Sequence, residues 1–143
     1  MTAPERPRVA LRGEEQTFYD HLKERELVYH RCEACASVIF PLRTVCPTCG
    51  SERLVLERSS GKGVVHSFTI QHRPAHPFFA DQVPYVLALT DLEEGFRVLS
   101  SVADSTTVTV GTPVVVVFDE VEPDLVLMSV RSAEPHRAQG DDQ

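Results

Sequence analysis

Two Cys-x-x-Cys pairs, which use all four cysteines of the chain, constrain its fold more than any other feature. The first pair is Cys32 and Cys35 and the second is Cys46 and Cys49, with ten residues between the pairs. Each pair places two thiolates on one side of a tight turn, and two such turns facing each other can surround a tetrahedral metal ion. The pattern predicts a metal-binding ribbon.

The residue after each pair has to turn the chain tightly. Gly50 follows the second pair, and a residue without Cβ lets backbone N–H groups turn toward the sulfurs. Ala36 stands at the equivalent position of the first pair. We therefore expect the first turn to be slightly less relaxed than the second.

A structural zinc ion (Zn²⁺) explains the four cysteines best, and iron in a rubredoxin-like site is an alternative with the same ligands. A thioredoxin-type redox site normally has one Cys-x-x-Cys pair at a strand–helix junction. Two disulfides would need an oxidising compartment, and residues 1–11 hold no apolar run typical of a signal peptide. Four thiolates leave no open coordination position, so the metal is expected to support structure and not catalysis.

The distribution of charge argues against nucleic acid as a partner. Residues 1–62 carry ten Lys/Arg and nine Asp/Glu, whereas residues 63–143 carry four Lys/Arg and twelve Asp/Glu, a net charge of −8. Such an acidic surface is poorly suited to binding phosphates by counterion release. No stretch approaches the roughly 20 apolar residues that span a bilayer, so no membrane partner and a soluble, cytoplasmic protein are expected.

The first half of the chain predicts a helix followed by a small metal module. We expect residues 1–13 to form a disordered tail and residues 14–60 to form the helix and the zinc ribbon. The helix should span residues 14–26, with Phe18, Leu22 and Tyr19 on one face. So short a ribbon buries little core, and metal binding must supply its folding free energy, about 10–16 kcal/mol in peptide models.

The second half predicts an all-β domain over residues 61–133, with a disordered tail over residues 134–143. Residues 58–63, rich in serine and glycine, are the best boundary between the two modules. Five short β-rich strands are typical of a small closed barrel, most often a five-stranded OB-fold. The predicted strands are residues 64–70, 85–91, 96–102, 113–118 and 125–131. The fold class is therefore mainly β.

The segment 71–84 is long for a barrel connection, and long ordered loops are usually functional. It contains three prolines and the adjacent aromatic residues Phe78 and Phe79. In an extended chain these two side chains point to different sides. Either one caps the barrel and the other packs on the zinc module, or both form an apolar surface that a partner or an acyl chain covers.

The order of these motifs resembles a known family over residues 14–133. The residues that carry the resemblance are Arg31–Cys35, Phe40–Arg43, Cys46–Ser51, Gly61–Thr69 and Val83–Val86. The family is the acyl-CoA-associated one that combines an N-terminal rubredoxin-like zinc ribbon with a C-terminal OB-fold. The chain departs from its pattern at Ala36, Leu42 and Tyr19, where family members often have Gly, Pro and Trp.

The resemblance implies an accessory subunit that is not catalytic on its own. Family members dock on thiolase-like enzymes, including retro-aldolases that shorten steroid side chains, or on MaoC-type enoyl-CoA hydratases, and help form the acyl-CoA path. It thus implies a hetero-oligomer with acyl-CoA at the shared interface. The residues expected at the partner or acyl-CoA interface are Phe18, Tyr19, His72, Arg73, His76, Phe78, Phe79 and Tyr85.

Two other functions need consideration. An independent acyl-CoA hydrolase or lyase would need a base, and His66, His72 and His76 are the candidates, but no serine or free thiol is paired with them as a nucleophile. A single-stranded nucleic-acid-binding module is the main alternative, since zinc ribbons and OB-folds are both common there. Such a module needs a basic groove with interleaved aromatics, which the acidic barrel half lacks.

Overall fold

Helix, ribbon and barrel follow one another along the chain in the computed structural model, which describes residues 3–8, 10–103 and 107–133. The elements are α1 (Glu14–Lys23), β1 (Val28–Cys32), β2 (Val38–Ile39), β3 (Leu54–Arg58), β4 (Lys62–Gln71), β5 (Tyr85–Leu92), β6 (Arg97–Val102), β7 (Pro113–Glu122) and β8 (Leu125–Ser132), with a 3₁₀ helix (Pro77–Gln82) between β4 and β5. The tail predicted over residues 134–143 lies outside the described residues.

Helix α1 ends three residues before its predicted end. Arg25 has a φ of 63°, in the left-handed region that a continuing α-helix cannot use. The backbone N–H groups of Glu24 and Arg25 close the last turn on the carbonyls of His21 and Leu22. The predicted apolar face is present, because Leu22 is buried and Phe18 packs against the core.

The ribbon is a three-stranded antiparallel sheet in the order β2-β1-β3. In β1, His30 faces Ile39 of β2 on one side and Leu56 of β3 on the other. The central strand therefore carries the first cysteine pair at its end, with Cys32 as its last residue.

The barrel is closed, with the strand order β4-β5-β6-β8-β7. Strand β4 pairs with β7 through Gly63 and Val114, and β6 pairs with β8 in parallel through Val102 and Val130. The five predicted strands and the mainly β fold are confirmed. Alternate residues of the strands fill the interior, whose buried residues are Val65, Ala88, Val102, Val108, Val114 and Val130.

A second core joins the ribbon, the helix and the barrel. Tyr29 of the ribbon lies 5.0 Å from Phe96 of the barrel between ring centroids, and Phe40 lies at the same distance on Phe96. Phe18 of α1 meets Phe40 edge to face at 5.5 Å. Because the rings of three elements share one cluster, burial of apolar surface couples the metal module to the barrel.

Hydrogen bonds hold the corner between ribbon and barrel. Glu94, in the turn between β5 and β6, accepts a hydrogen bond of 2.7 Å from the Ser59 hydroxyl and one of 2.8 Å from the Ser60 N–H. The Ser59 N–H donates in turn to the carbonyl of Leu27. One carboxylate thus fixes the point at which the chain leaves the ribbon.

The segment 71–84 is more regular than expected. Gln71 ends β4, and residues 77–82 form the 3₁₀ helix. The rings of Phe78 and Phe79 meet edge to face at 5.1 Å between centroids. The expectation that they face opposite sides is wrong, because it assumed an extended backbone and the helical turn brings the neighbouring rings together.

Among the described residues, no helix combines the length and the apolar character that crossing a membrane requires.

Candidate metal centre and surface groove

The four cysteine sulfurs converge at the tip of the ribbon. Their Sγ atoms all lie within 4.8 Å of one another. The Cys32–Cys49 and Cys35–Cys46 sulfurs are 3.6 and 3.7 Å apart. Sulfurs at the corners of a tetrahedron around zinc, with bonds of about 2.3 Å, lie about 3.8 Å apart. The donor set and its spacing therefore fit a tetrahedral metal ion.

The two cysteine turns repeat the same backbone geometry. The Ala36 N–H donates to the Cys32 carbonyl at 2.8 Å, and the Gly50 N–H donates to the Cys46 carbonyl at 2.9 Å. Both residues are left-handed, with φ of 65° for Ala36 and 80° for Gly50. This conformation is unstrained for glycine and costs energy for alanine. The difference expected between the two turns thus has a direct structural basis.

The thiols influence one another's ionisation. Burial raises the pKa of Cys32, but the backbone N–H groups of Cys35 and Ala34 outweigh it and the pKa is lowered. The N–H of Ser51 acts to lower the pKa of Cys49, but the Cys32 sulfur and burial prevail and raise it to about 12. The cluster therefore resists carrying four negative charges by itself, and a divalent cation would remove this conflict.

A groove of about 730 Å³ lies between α1, the 3₁₀ helix and the barrel. Its wall includes Leu99 of β6, which is 62% exposed. Among the described residues that line the groove, the only hydrogen bond between two side chains runs from the Ser129 hydroxyl to Asp119, at 2.9 Å. The main apolar lining residues are Phe18, Tyr19, Phe79, Leu87, Leu99, Val121 and Leu127. The surface is thus more apolar than polar, and its polar part comes from Arg6, Gln82, Ser101, Asp119 and Ser129.

A second cavity of about 580 Å³ adjoins the groove. Arg6, Tyr19 and Leu127 border both cavities. The Arg6 guanidinium lies over the Phe78 ring, 4.7 Å from its centroid. The N-terminal segment therefore contributes to the wall between the two cavities.

The structure brings together half of the predicted interface residues. Phe18, Tyr19, Phe79 and Tyr85 line the groove. Phe78 does not belong to this lining but packs against Phe79 and under Arg6. The four residues that share the groove come from α1, the 3₁₀ helix and the start of β5.

The predicted histidines and Arg73 have other environments. His76 caps the 3₁₀ helix, because its Nδ1 accepts a hydrogen bond of 3.0 Å from the Phe78 N–H. His72 and Arg73 are exposed and lie outside the groove lining found among the described residues. His66, a candidate base, lies 3.3 Å from Asp91 and 3.1 Å from Arg97 in an exposed charged cluster.

Sequence reasoning missed Arg6, Leu99 and Leu127 as residues of the groove. The sequence placed Leu99 in a barrel strand but did not show which side of the barrel its side chain faces. The outward direction follows from the strand register, in which Leu99 pairs with Leu89. Arg6 lies in a segment expected to be disordered, and no periodic pattern marks it.

Comparison with protein-family models assigns most of the chain. Residues 20–55 match the model described as the rubredoxin-like zinc ribbon domain of ChsH2, and residues 56–119 match the ChsH2 C-terminal OB-fold domain. The chain belongs to the ChsH2 family. The junction between the two models falls within β3.

Two relatives of this ChsH2-family chain are named as a hydratase subunit and as a scaffold protein. A probable enoyl-CoA hydratase alpha subunit of Thermomonospora curvata is 36% identical over 132 residues, which cover 91% of the chain but only 41% of the relative's length. A DUF35 domain-containing scaffold protein of Methanothermobacter thermautotrophicus is 37% identical over 71% of the chain and 78% of its own length.

A solved structure has the same fold. The Ltp2-ChsH2(DUF35) aldolase contains a chain that is 34% identical and superposes with a TM-score of 0.80. The match covers 89% of the ChsH2-family chain described here and 100% of that chain.

Proposed function

We propose that this chain is an accessory subunit that docks on a thiolase-like aldolase or a MaoC-type hydratase and helps form the acyl-CoA path. The observation that carries the proposal is the exposed apolar groove of about 730 Å³ between α1, the 3₁₀ helix and the barrel. The relatives' names, an aldolase and a hydratase subunit, support the two partner classes.

The composition of the groove suits an acyl chain. Its walls are aliphatic and aromatic side chains from several elements, and Leu99 projects into it with 62% of its surface exposed. Burial of these apolar side chains by a partner or a ligand is favourable. The steroid acyl group of the thioester that the family resemblance favours is also apolar over most of its surface.

The cysteine cluster supplies stability in this proposal. Cys32, Cys35, Cys46 and Cys49 would hold a zinc ion, which supplies a tetrahedral cross-link between the two turns when it is bound. The cluster belongs to the ribbon, and the ribbon packs on the barrel through Tyr29 and Phe96. The metal site thereby supports the shape of the surface that docks.

The partner enzyme supplies the nucleophile and the base. His76 is occupied as a helix cap and His66 lies in an exposed cluster with Asp91 and Arg97, so neither has a paired nucleophile among the described residues. The contribution of this chain is to bind, to orient the acyl group and to exclude water from it.

Affinity purification of the tagged chain from its native host, followed by mass spectrometry, tests the proposal. Recovery of a thiolase-like or hydratase-type subunit in a fixed ratio is the expected result. Recovery of nucleic acid or ribosomal proteins would instead favour the nucleic-acid-binding alternative.

Two matched surface variants connect the partner to the groove. Leu99→Asp places a charge in the groove, and Val110→Asp places one on a turn outside it; the two residues are 62% and 68% exposed. Neither substitution disturbs the core, so both proteins should fold normally. We expect Leu99→Asp to weaken partner or acyl-CoA binding at least tenfold and Val110→Asp to leave it unchanged. Equal behaviour of the two variants would remove the groove from the proposal.

A further inference from the structure

Residues 3–8 contact the barrel through the side chain of Arg6. Arg6 is the one residue of this segment that is not exposed, and its side chain is 18% exposed. Its guanidinium lies 4.7 Å from the Phe78 ring centroid and 5.8 Å from that of Phe79. Its Nε lies 4.0 Å from a carboxylate oxygen of Glu122. Arg6 is therefore the anchor of the segment.

The interactions that hold Arg6 are weak enough for a ligand to displace its side chain. Within the described ranges, no backbone hydrogen bond joins residues 3–8 to the rest of the chain. Two cation–π contacts and one long ion pair hold Arg6, and each of these interactions is individually weak. A released guanidinium regains its hydration, so displacement of Arg6 by a ligand has a small energetic cost.

Arg6 stands where two cavities meet. It borders the groove of about 730 Å³ and also the cavity of about 580 Å³ beside it. Tyr19 and Leu127 border both cavities as well, and Leu125 continues the apolar wall into the smaller one. Apolar side chains of α1 and β8 therefore continue from the groove into the smaller cavity, which Arg8, Glu122 and Asp124 also line.

We propose that Arg6 divides one longer apolar groove and thereby determines the length of the acyl group that the groove accepts. The inference rests on the proposed acyl-CoA function of the groove. With Arg6 docked on Phe78 and Glu122, the two cavities are separate, and the larger one takes short acyl groups. A long acyl group enters the smaller cavity as well and has to displace Arg6.

The test compares full-length, zinc-loaded variants in a matched set. Arg6→Ala removes the divider, and Arg6→Lys retains a cation that can still contact the Phe78 ring and Glu122. Arg12→Ala is the control, because Arg12 is exposed, carries the same charge and lines neither cavity. Butanoyl-CoA, octanoyl-CoA and dodecanoyl-CoA are titrated into each variant by calorimetry.

Arg6→Ala should bind dodecanoyl-CoA about 3- to 30-fold more tightly than the wild type does, the range expected when a competitor held by weak cation–π contacts is removed. The affinity for butanoyl-CoA should not change, and Arg6→Lys should return the dodecanoyl-CoA affinity toward the wild-type value. An equal gain in Arg12→Ala, or an equal gain for all chain lengths, would overturn the proposal.

A neutral dye separates this inference from the proposed function. Nile red reports apolar surface without a CoA group, and its fluorescence should rise in Arg6→Ala and not in Arg12→Ala. If no variant binds acyl-CoA but the dye distinguishes the two alanine variants, the acyl-CoA function fails and the divider remains. If the dye responds equally to both alanine variants, the divider is overturned whatever acyl-CoA does.

Discussion

At the scale of single residues, the two cysteine turns are alike in hydrogen bonding but different in strain. Ala36 and Gly50 occupy equivalent positions, and both have positive φ, 65° and 80°. Only glycine adopts this region without a steric penalty. A Cβ placed on Gly50 meets no heavy atom within 4 Å, so any penalty at this position comes from the backbone.

Single substitutions of Ala36 by glycine and of Gly50 by alanine should therefore change the stability of the protein in opposite directions. Ala36→Gly is expected to stabilise the metal-loaded protein by up to about 1 kcal/mol, and Gly50→Ala to destabilise it by about 1 kcal/mol. Urea unfolding of the zinc-loaded variants measures both values. Loss of stability in Ala36→Gly would show that the first turn does not relax when its Cβ is removed.

The carboxylate of Glu94 holds the junction of ribbon and barrel through two hydrogen bonds. Burial acts to raise the pKa of Glu94, but the Ser60 N–H and the Ser59 hydroxyl outweigh it, and the pKa lies below its usual value of 4.5. A carboxylate whose pKa is lower in the folded state stabilises the protein above the unfolded-state pKa. That contribution is lost as the pH falls through the lowered pKa.

Glu94→Gln should thus cost about 1–2 kcal/mol at pH 7, because a neutral amide replaces a charged acceptor of two hydrogen bonds. The difference between wild type and variant should shrink as the pH falls below 4.5, the usual value for this group. Unfolding free energies measured from pH 7 to pH 3 give the comparison. A difference that is independent of pH would contradict the assigned role of the ionised carboxylate.

At the scale of elements, the 3₁₀ helix positions one wall of the groove. It spans Pro77–Gln82 and brings Phe79 into the lining. His76 caps it from the preceding position, with its side chain accepting the Phe78 N–H. His76, which we expected at a partner or acyl-CoA interface, therefore also has a local structural role as a helix cap.

Removal of this cap should loosen the segment without unfolding the barrel. His76→Ala is expected to cost about 1 kcal/mol locally and to accelerate hydrogen exchange of the Phe78 amide about fivefold. His76→Asn offers a replacement acceptor and should restore most of the protection. Exchange at Val65 and Val130 in the barrel core serves as the internal control. Unchanged exchange at Phe78 in the alanine variant would show that the cap has no energetic role.

At the scale of the whole molecule, the ribbon and the barrel behave as one folded unit. Tyr29 and Phe40 of the ribbon stack on Phe96 of the barrel at 5.0 Å, and Phe18 of α1 completes the cluster. Loss of order in the ribbon would expose Phe96 and neighbouring barrel residues to water. Stability supplied by the metal should therefore extend to the barrel.

Cys46→Ser and chelation of the metal test this coupling. Both should unfold the ribbon, lower the Tm of the barrel by several degrees and abolish complex formation with the partner enzyme, because the docking surface loses its support. Hydrogen exchange of the buried residues Val65, Ala88 and Val114 follows the barrel separately from the ribbon. A barrel whose Tm is unaffected by chelation, or a variant that binds its partner normally, would count against the scaffold role.

The sequence predicted those parts of this molecule that depend on local patterns. Cysteine spacing gave the metal cluster, and β-rich runs gave the barrel strands with errors of a few residues at their ends. It did not predict the end of α1, since nothing in the chain marks Arg25 as left-handed. It also missed the contact of Arg6 with Phe78, because this contact joins residues far apart in the chain that only the folded barrel brings together.

In the proposed function, this chain binds acyl-CoA together with a partner enzyme and does not process it alone. The most direct measurement is release or conversion of the acyl-CoA thioester by three preparations: the purified chain, the co-purified partner enzyme, and their complex. We predict turnover by the complex, much slower turnover by the partner enzyme alone, and no turnover by the purified chain alone. Turnover by the purified chain at a rate comparable to that of the complex would contradict the account.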